Sequence, residues 1–297
     1  MLAKIVLGTP RCARDNSLIG PASAPAVKHY VEARPVPPRR TTQGILVLTT
    51  TSHGEVLEIQ LSRPPVNALT PELVARLRDA VRAAPDGGAR AIVLSGAPGV
   101  FSAGLDVPAL IGLDRDAMNG FWRDFVDLMS VIGRSKIPIV AAVTGHSPAG
   151  GAVLALFCDY RVMARGEFRI GLNEVQVGLS VPEMVQFALR RLVGPHRAER
   201  LLVAGAMTEP DEALRVGLVD ELADVDQVVA RAVAWCRWHL DLPPAAMTQT
   251  RRVARADLGR VLARAARDEG PEFVDSWFTD EAQARLTALV ASLTTKV

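Results

Sequence analysis

The sequence predicts an α/β protein whose strands and helices alternate through its first two thirds and whose last third is helical. Three observations carry that reading. Gly44–Leu48 and Val56–Leu61 are short apolar runs followed by a helical stretch from Pro71 and a further apolar run at Ala91–Ser95, a strand, strand, helix, strand succession. Ile139–Val143 is an apolar, partly β-branched run that passes through Pro148, Gly150 and Gly151 into a second helix. From Glu183 onward almost every segment has helical spacing. About half of the 297 residues are apolar, which is ample for one large core.

Each element has a local cause. Residues 1–43 hold Pro35, Pro37 and Pro38, a basic excess and no apolar period, so an extension outside the core is expected there. An arginine-containing, acid-poor leader is also the composition of an organellar transit segment, although this one is not serine-rich and forms no clear amphipathic helix. The core is expected to span residues 44–240, and a C-terminal helical region, 241–297, is expected to serve oligomerisation or to cover the active site. A turn at Ser52-His53-Gly54 pairs the first two strands, and Pro64-Pro65 ends the second. Thr70 caps a helix with Pro71 at its first position, and Leu73, Leu77 and Val81 lie near one face. Asp86-Gly-Gly88 turns the chain back into the strand at Ala91. Asp114 to Gly133, with Phe121, Trp122, Phe125, Leu128 and Met129 at helical spacing, reads as a core helix. The C-terminal helices are expected at Glu183–Leu192, Arg197–Leu202, Asp211–Val216 and Val225–Leu240, then from Pro244 onward with breaks at Gly259, Gly270 and Pro271.

Composition removes several classes of function. The formal net charge is +2 and the basic residues are scattered, so nucleic acid is not indicated. Cys12, Cys158 and Cys236 form no CxxC or Cys/His pattern, which argues against a disulfide framework or a metal site and for buried free thiols at Cys158 and Cys236. No apolar run is long enough to span a bilayer, and Leu2 to Leu7 is too short for a signal core. A soluble protein of a reducing compartment is expected, cytoplasmic in preference to the mitochondrial matrix.

The chemistry concentrates in Val143-Thr-Gly-His-Ser-Pro-Ala-Gly-Gly-Ala-Val-Leu-Ala-Leu-Phe-Cys-Asp159. The first N–H groups of a helix lack internal partners and carry partial positive charge, and Gly150 and Gly151 have no Cβ to keep a ligand away from them. Taken alone, the stretch fits more simply a plain strand-turn-helix whose glycines only allow close packing. Gly99-Val-Phe-Ser-Ala-Gly-Leu-Asp106 alters that balance, because it follows the 91–95 strand and offers a second small-residue turn. Two backbone donors aimed at one developing charge make an oxyanion hole. His146, beside the turn with no carboxylate near it in sequence, reads as structural.

These segments, with Pro64-Pro-Val-Asn67, Phe101-Ser-Ala-Gly-Leu-Asp106, Pro148-Ala-Gly-Gly151, Cys158-Asp-Tyr-Arg161, Ile170 to Gly178 and Glu212 to Asp220, resemble the enoyl-CoA hydratase/isomerase (crotonase) superfamily from about Ile45 to the C-terminus. Gly171-Leu-Asn-Glu174 is most similar to the mitochondrial-type Δ3,Δ2-enoyl-CoA isomerases. The resemblance implies a crotonase-like ββα superhelix, an acyl-CoA thioester substrate, no cofactor beyond the CoA of that substrate, and assembly as a homotrimer or hexamer. It also implies backbone donors at Leu105 and Gly150, substrate contacts at Ala103, Gly104, Asp106 and Gly151, and an acyl pocket walled by the helix bearing Trp122 and Phe125.

Glu174 is flanked by Leu172, Val175 and Val177, and burial among them can raise a carboxyl pKa toward the operating pH of a proton shuttle, although a loop glutamate is more usually solvated and its position alone says little. The resemblance implies that it is the catalytic base. Hydratases of the superfamily carry a second glutamate three residues beyond the donor glycine, and here that position is Val153. One base suffices to move a double bond, so an isomerase is expected. The alternatives are a hydratase or another acyl-CoA enzyme of the superfamily, with its second polar group supplied from elsewhere, for example by Asp124 or Asp127, and an acyl-CoA-binding protein without turnover.

Overall fold

The computed structural model describes residues 47–268 and 270–294. Strands β1 (Leu48–His53) and β2 (Val56–Leu61) form a hairpin, and helix α1 (Pro71–Ala83) leads to β3 (Ala91–Ser95). A short strand β4 (Gly99–Val100), a one-turn helix α2 (Val107–Leu110) and the long helix α3 (Arg115–Gly133) follow. Next come β5 (Ile139–Val143), β6 (Gly145–Pro148), α4 (Gly150–Leu156), β7 (Tyr160–Ala164) and β8 (Ile170–Gly171). A 3-10 turn at Glu174–Val177 precedes α5 (Glu183–Val193) and α6 (Pro195–Ala204). Strand β9 (Met207–Thr208), α7 (Pro210–Val216) and β10 (Glu221–Ala223) lead into α8 (Val228–Leu240). Helices α9 (Pro244–Ala254), α10 (Ala256–Asp268), α11 (Gly270–Trp277) and α12 (Asp280–Thr294) complete the described chain.

The larger sheet runs β1-β2-β3-β5-β7-β10 and is parallel throughout except for the β1/β2 hairpin. Its central strands are apolar on both faces because both faces are covered. Ile92, Leu94, Ile139, Ala141 and Val143 join the main core with α1, α3 and α4, whereas Ala91, Val93, Val140 and Ala142 face α8. That alternation is the period of two that a pleated strand imposes. Thr70 caps α1 by accepting from Leu73 N at 3.2 Å, and Asp114 caps α3 by accepting from Ala117 N at 2.8 Å. The expected buried faces of both helices are buried.

Several boundaries differ from expectation. The first described strand is Leu48–His53, running five residues past the expected end at Leu48, and the turn falls after His53; three consecutive threonines favour the extended chain at this sheet edge. Residues 44–46, the 1–43 extension and Cys12 lie outside the described residues. Gly259 does not interrupt a helix but lies within α10; the expected break at Gly270 and Pro271 falls where α10 gives way to α11, and further interruptions fall at Arg255 and at Phe278-Thr279. Gly270 and Pro271 open α11, where proline in a first turn needs no N–H. The two-residue strands β4, β8 and β9, together with β6, form a second sheet that no apolar period announces, since their residues are mostly Gly, Ser, Pro and Thr.

The C-terminal helices are tied to the core through Asp159. Its carboxylate accepts from Arg251 Nε and Nη2 at 2.8 and 2.7 Å and from Ile139 N at 2.9 Å, and Arg255 Nη1 lies 3.2 Å away. All three side chains are largely buried. Removing one member of a buried pair leaves uncompensated charge and typically costs about 3–5 kcal/mol. Asp159→Ala is therefore expected to lower the denaturant midpoint strongly with little change in slope; a midpoint equal to wild type would show that the Asp159 cluster does not anchor α9.

Candidate active site

The second sheet brings three segments of the chain into register. Gly99 and Val100 pair with Gly145 and His146, and Ser147 and Pro148 pair with Ile170 and Gly171. Glycine is required at 145, where a Cβ would lie 2.0 Å from Gly99 C. Ala149 N donates to Gly171 O at 2.8 Å, and Ala149 itself has φ 45°, a region that non-glycine residues rarely occupy. That conformation caps α4 and makes Gly150 its first residue.

Residues 63–69 act as a splint for the 101–106 turn. Asn67 Nδ2 donates to Phe101 O at 3.1 Å while its Oδ1 accepts from Arg63 N at 2.9 Å. Ser102 Oγ donates to Asn67 O at 2.8 Å, Ala103 N to Val66 O at 2.9 Å, and Leu69 N to Gly104 O at 2.8 Å. The turn thereby meets the start of α4. A Cβ on Gly150 would lie 3.3 Å from Leu105 N, and one on Gly104 would lie 2.9 Å from Gly150 N. Among the described residues, neither Leu105 N–H nor Gly150 N–H donates a hydrogen bond.

Both residues line a cavity of about 630 Å³. Ala103, Asp106, Trp122, Phe125, Val153 and Glu174 also line it. Gly104 and Gly151 do not: a Cβ on Gly151 would stand 2.3 Å from Ser102 O, so these two glycines let the turn and the helix touch. The apolar end of the cavity is built by Trp122, stacked on Phe273 at 3.6 Å between centroids, and by Trp277, Leu289 and Leu293 of α11 and α12. A covering role was expected for the 241–297 region as a whole, but the particular side chains that supply it were not identified, because no local signal links them to the turn at 150.

Glu174 opens the 3-10 turn, and Gly178 and Leu179 N–H both bond its carbonyl. The turn is held from two sides. Gln176 Nε2 donates to Gly205 O at 2.9 Å, and a Cβ on Gly178 would stand 3.1 Å from Ala282 Cα of α12. Glu174 Oε2 is buried without a hydrogen-bond partner among the described residues, as is Asn173 Oδ1 beside it. Burial pushes the Glu174 carboxyl up to about 7, outweighing a hydrogen bond from its own backbone N–H that acts the other way.

Asp106, the other carboxylate of the cavity wall, lies 2.7 Å from Arg63 Nη2 and accepts from Ala109 N as the cap of α2. Asp124 and Asp127 do not approach Val153; they pair with Arg78 and Arg82 at 2.5 and 2.8 Å and lie outside the cavity wall. His146 is exposed, with its ring edge against Phe168, and takes no part in the cavity. Cys158 and Cys236 are buried free thiols, pushed up to about 12 by burial. Among the described residues no group of side chains could hold a metal ion, and no helix is long and apolar enough to cross a membrane.

A crotonase-type fold with an apolar cavity, one uncompensated carboxylate and two free backbone donors defines the class. The chain belongs to the enoyl-CoA hydratase/isomerase family, whose model matches residues 51–291. It is 34% identical over 217 residues to human mitochondrial enoyl-CoA delta isomerase 1, covering 72% of each chain. It is 37% identical over 194 residues to the probable enoyl-CoA hydratase EchA17 of Mycobacterium tuberculosis, covering 63% of this chain and 72% of that protein. The crystal structure of human mitochondrial Δ3-Δ2-enoyl-CoA isomerase superposes with a TM-score of 0.79 at 30% identity, covering 84% of this chain and 99% of the other.

Because the folded-state pKa of Glu174 is raised above the ordinary carboxyl value of 4.5 to about 7, folding favours its protonated form. The cost of ionising it in place appears as pH rises through that interval and persists above it. Glu174→Gln is accordingly expected to melt several degrees above wild type at pH 8, with the difference shrinking as the pH falls toward 4.5. A pH-independent difference would mean that the carboxyl is not buried as described.

Proposed function

We propose that the protein is a Δ3,Δ2-enoyl-CoA isomerase that moves the double bond of a 3-enoyl-CoA into conjugation with the thioester. The observation that supports this reading is the cavity's single uncompensated carboxylate. Glu174 has a pKa near neutrality and, among the described residues, no cationic partner, Asp106 is neutralised by Arg63, and Val153 offers no group to hold a water.

In this mechanism the thioester oxygen lies against the N–H groups of Leu105 and Gly150. Glu174 carboxylate removes a proton from C2, and the electron pair moves onto that oxygen, forming an enolate. The two donors stabilise the negative charge, and one such donor contributes on the order of 10²–10³ in rate. The enolate then collapses: C2 and C3 become doubly bonded, the former C3–C4 double bond opens, and C4 takes the proton back from Glu174. The carboxylate is regenerated and nothing is gained or lost from solvent. A base poised near the operating pH is suited to both halves of that transfer.

Subunit contacts through the C-terminal helices, as in a homotrimer or hexamer, belong to the same reading. They find support in α9, none of whose apolar residues is buried, and in Val253, 60% exposed on it.

A hydratase is the second reading, favoured by the 37% identity to a protein named a probable enoyl-CoA hydratase. It requires a second group to orient water, and neither Asp124 nor Asp127 is placed for it. The two readings separate by assay. With a trans-3-enoyl-CoA, wild type is expected to form the 2-enoyl ester, and Glu174→Gln to lose about 10²–10⁴ of that rate. Wild-type kcat/KM should rise with pH and level off above about 7, where Glu174 is ionised. Retention of wild-type rate by the Gln variant would remove Glu174 from the mechanism.

A further inference from the structure

Away from the catalytic cavity, where α3 ends and α9 meets α10, lies a second pocket of about 340 Å³. Five cationic side chains line it: Arg134, Lys136, Arg251, Arg252 and Arg255. Among the described residues the one carboxylate in ion-pair contact with any of the five is that of Asp159, shared by Arg251 and Arg255. Those two arginines are fixed as a floor. Arg251 Nη1 donates to Ser135 O at 2.6 Å, and Arg255 Nη2 to Phe157 O at 2.6 Å. Burial and the neighbouring Arg251 guanidinium hold Arg255 below its usual range, and its Nε is buried with no partner among the described residues.

The rim carries no compensation. Among the described residues no carboxylate lies within ion-pair distance of Arg134, Lys136 or Arg252, and Arg252 bonds only the neutral Gln249. Like charges converging on one concavity raise the local positive potential and repel one another until an anion enters. Guanidinium forks match the paired oxygens of a phosphoryl group, and an ammonium adds a point charge.

We propose that this pocket is an anion site for a phosphate-bearing small molecule, held by Arg134, Lys136 and Arg252 above the Arg251/Arg255 floor. Two sources share that chemistry: free phosphate or pyrophosphate, and the nucleotide phosphates of a CoA. The site stands independently of the isomerase reading, because none of its residues lines the catalytic cavity.

The test is calorimetric titration of the full chain with inorganic pyrophosphate at constant ionic strength, repeated with the Lys136→Ala/Arg252→Ala double variant. Both substituted residues are exposed, so the variant is expected to fold. Wild type is expected to bind saturably, and the variant about tenfold or more weaker. Competition of CoA with pyrophosphate would assign the site to nucleotide phosphates, and no competition would assign it to the free anion; either supports the proposal. Absence of saturable binding, equal binding by the variant, or the same stabilisation by chloride at equal ionic strength would overturn it. A variant changed only in its oligomeric mass by light scattering would also overturn it, since the rim would then serve contact between copies.

Discussion

The site depends on how closely two stretches of backbone approach: the turn at Ser102–Leu105 and the first residues of α4. Ordinary side chains would hold them apart. A Cβ at Gly151 would meet Ser102 O at 2.3 Å, one at Gly104 would meet Gly150 N at 2.9 Å, and Gly104 has a positive φ of 83°. With no Cβ at these positions, Leu105 and Gly150 share one cavity wall with their N–H groups free. The small sheet fixes where the two stretches lie, the 63–69 splint fixes the angle of the turn, and the strained Ala149 fixes where the helix begins. Strain of that kind persists only where the surroundings over-determine it.

The second constraint is the burial of Glu174. A carboxyl with one oxygen enclosed and unpaired is a stability cost that the rest of the core must offset. The fold imposes that cost by clamping the Glu174 turn between Gly205 and α12, and the consequence is a proton acceptor poised near neutral pH. Asp106 shows the opposite treatment within the same cavity, since Arg63 and a helix cap keep its charge satisfied. The difference between the two carboxylates is one of surroundings, not of residue type.

Much of this was legible in the sequence, and what was not has physical causes. The strands at 56–61, 91–95 and 139–143 and the helices from Pro71, Arg115 and Gly150 announce themselves by apolar period and by Thr70, Asp114 and the Gly pair. The apolar neighbours Leu172, Val175 and Val177 allowed burial of Glu174 without establishing it, and Val175 proves to be 39% exposed, so the enclosure comes from farther away. Sequence neighbours say little about partners distant along the chain. For that reason the small sheet and the pairing of Asp106 with Arg63 were invisible, and the cover expected of the C-terminal region could not be assigned to Phe273, Trp277, Leu289 and Leu293. The supposed break at Gly259 failed because a single glycine costs a helix only about 1 kcal/mol, which the packing of α10 on α3 and α5 outweighs.

The central claim is that one carboxylate carries one proton between two carbons of the same substrate. It is tested most directly by turning over a 3-enoyl-CoA that bears deuterium at C2 and locating the label in the product by mass and NMR. Transfer by Glu174 alone predicts a 2-enoyl-CoA with deuterium at C4 and no hydrated product. A 3-hydroxyacyl-CoA would contradict it, because water would then have been activated by a group that the cavity beside Val153 does not contain.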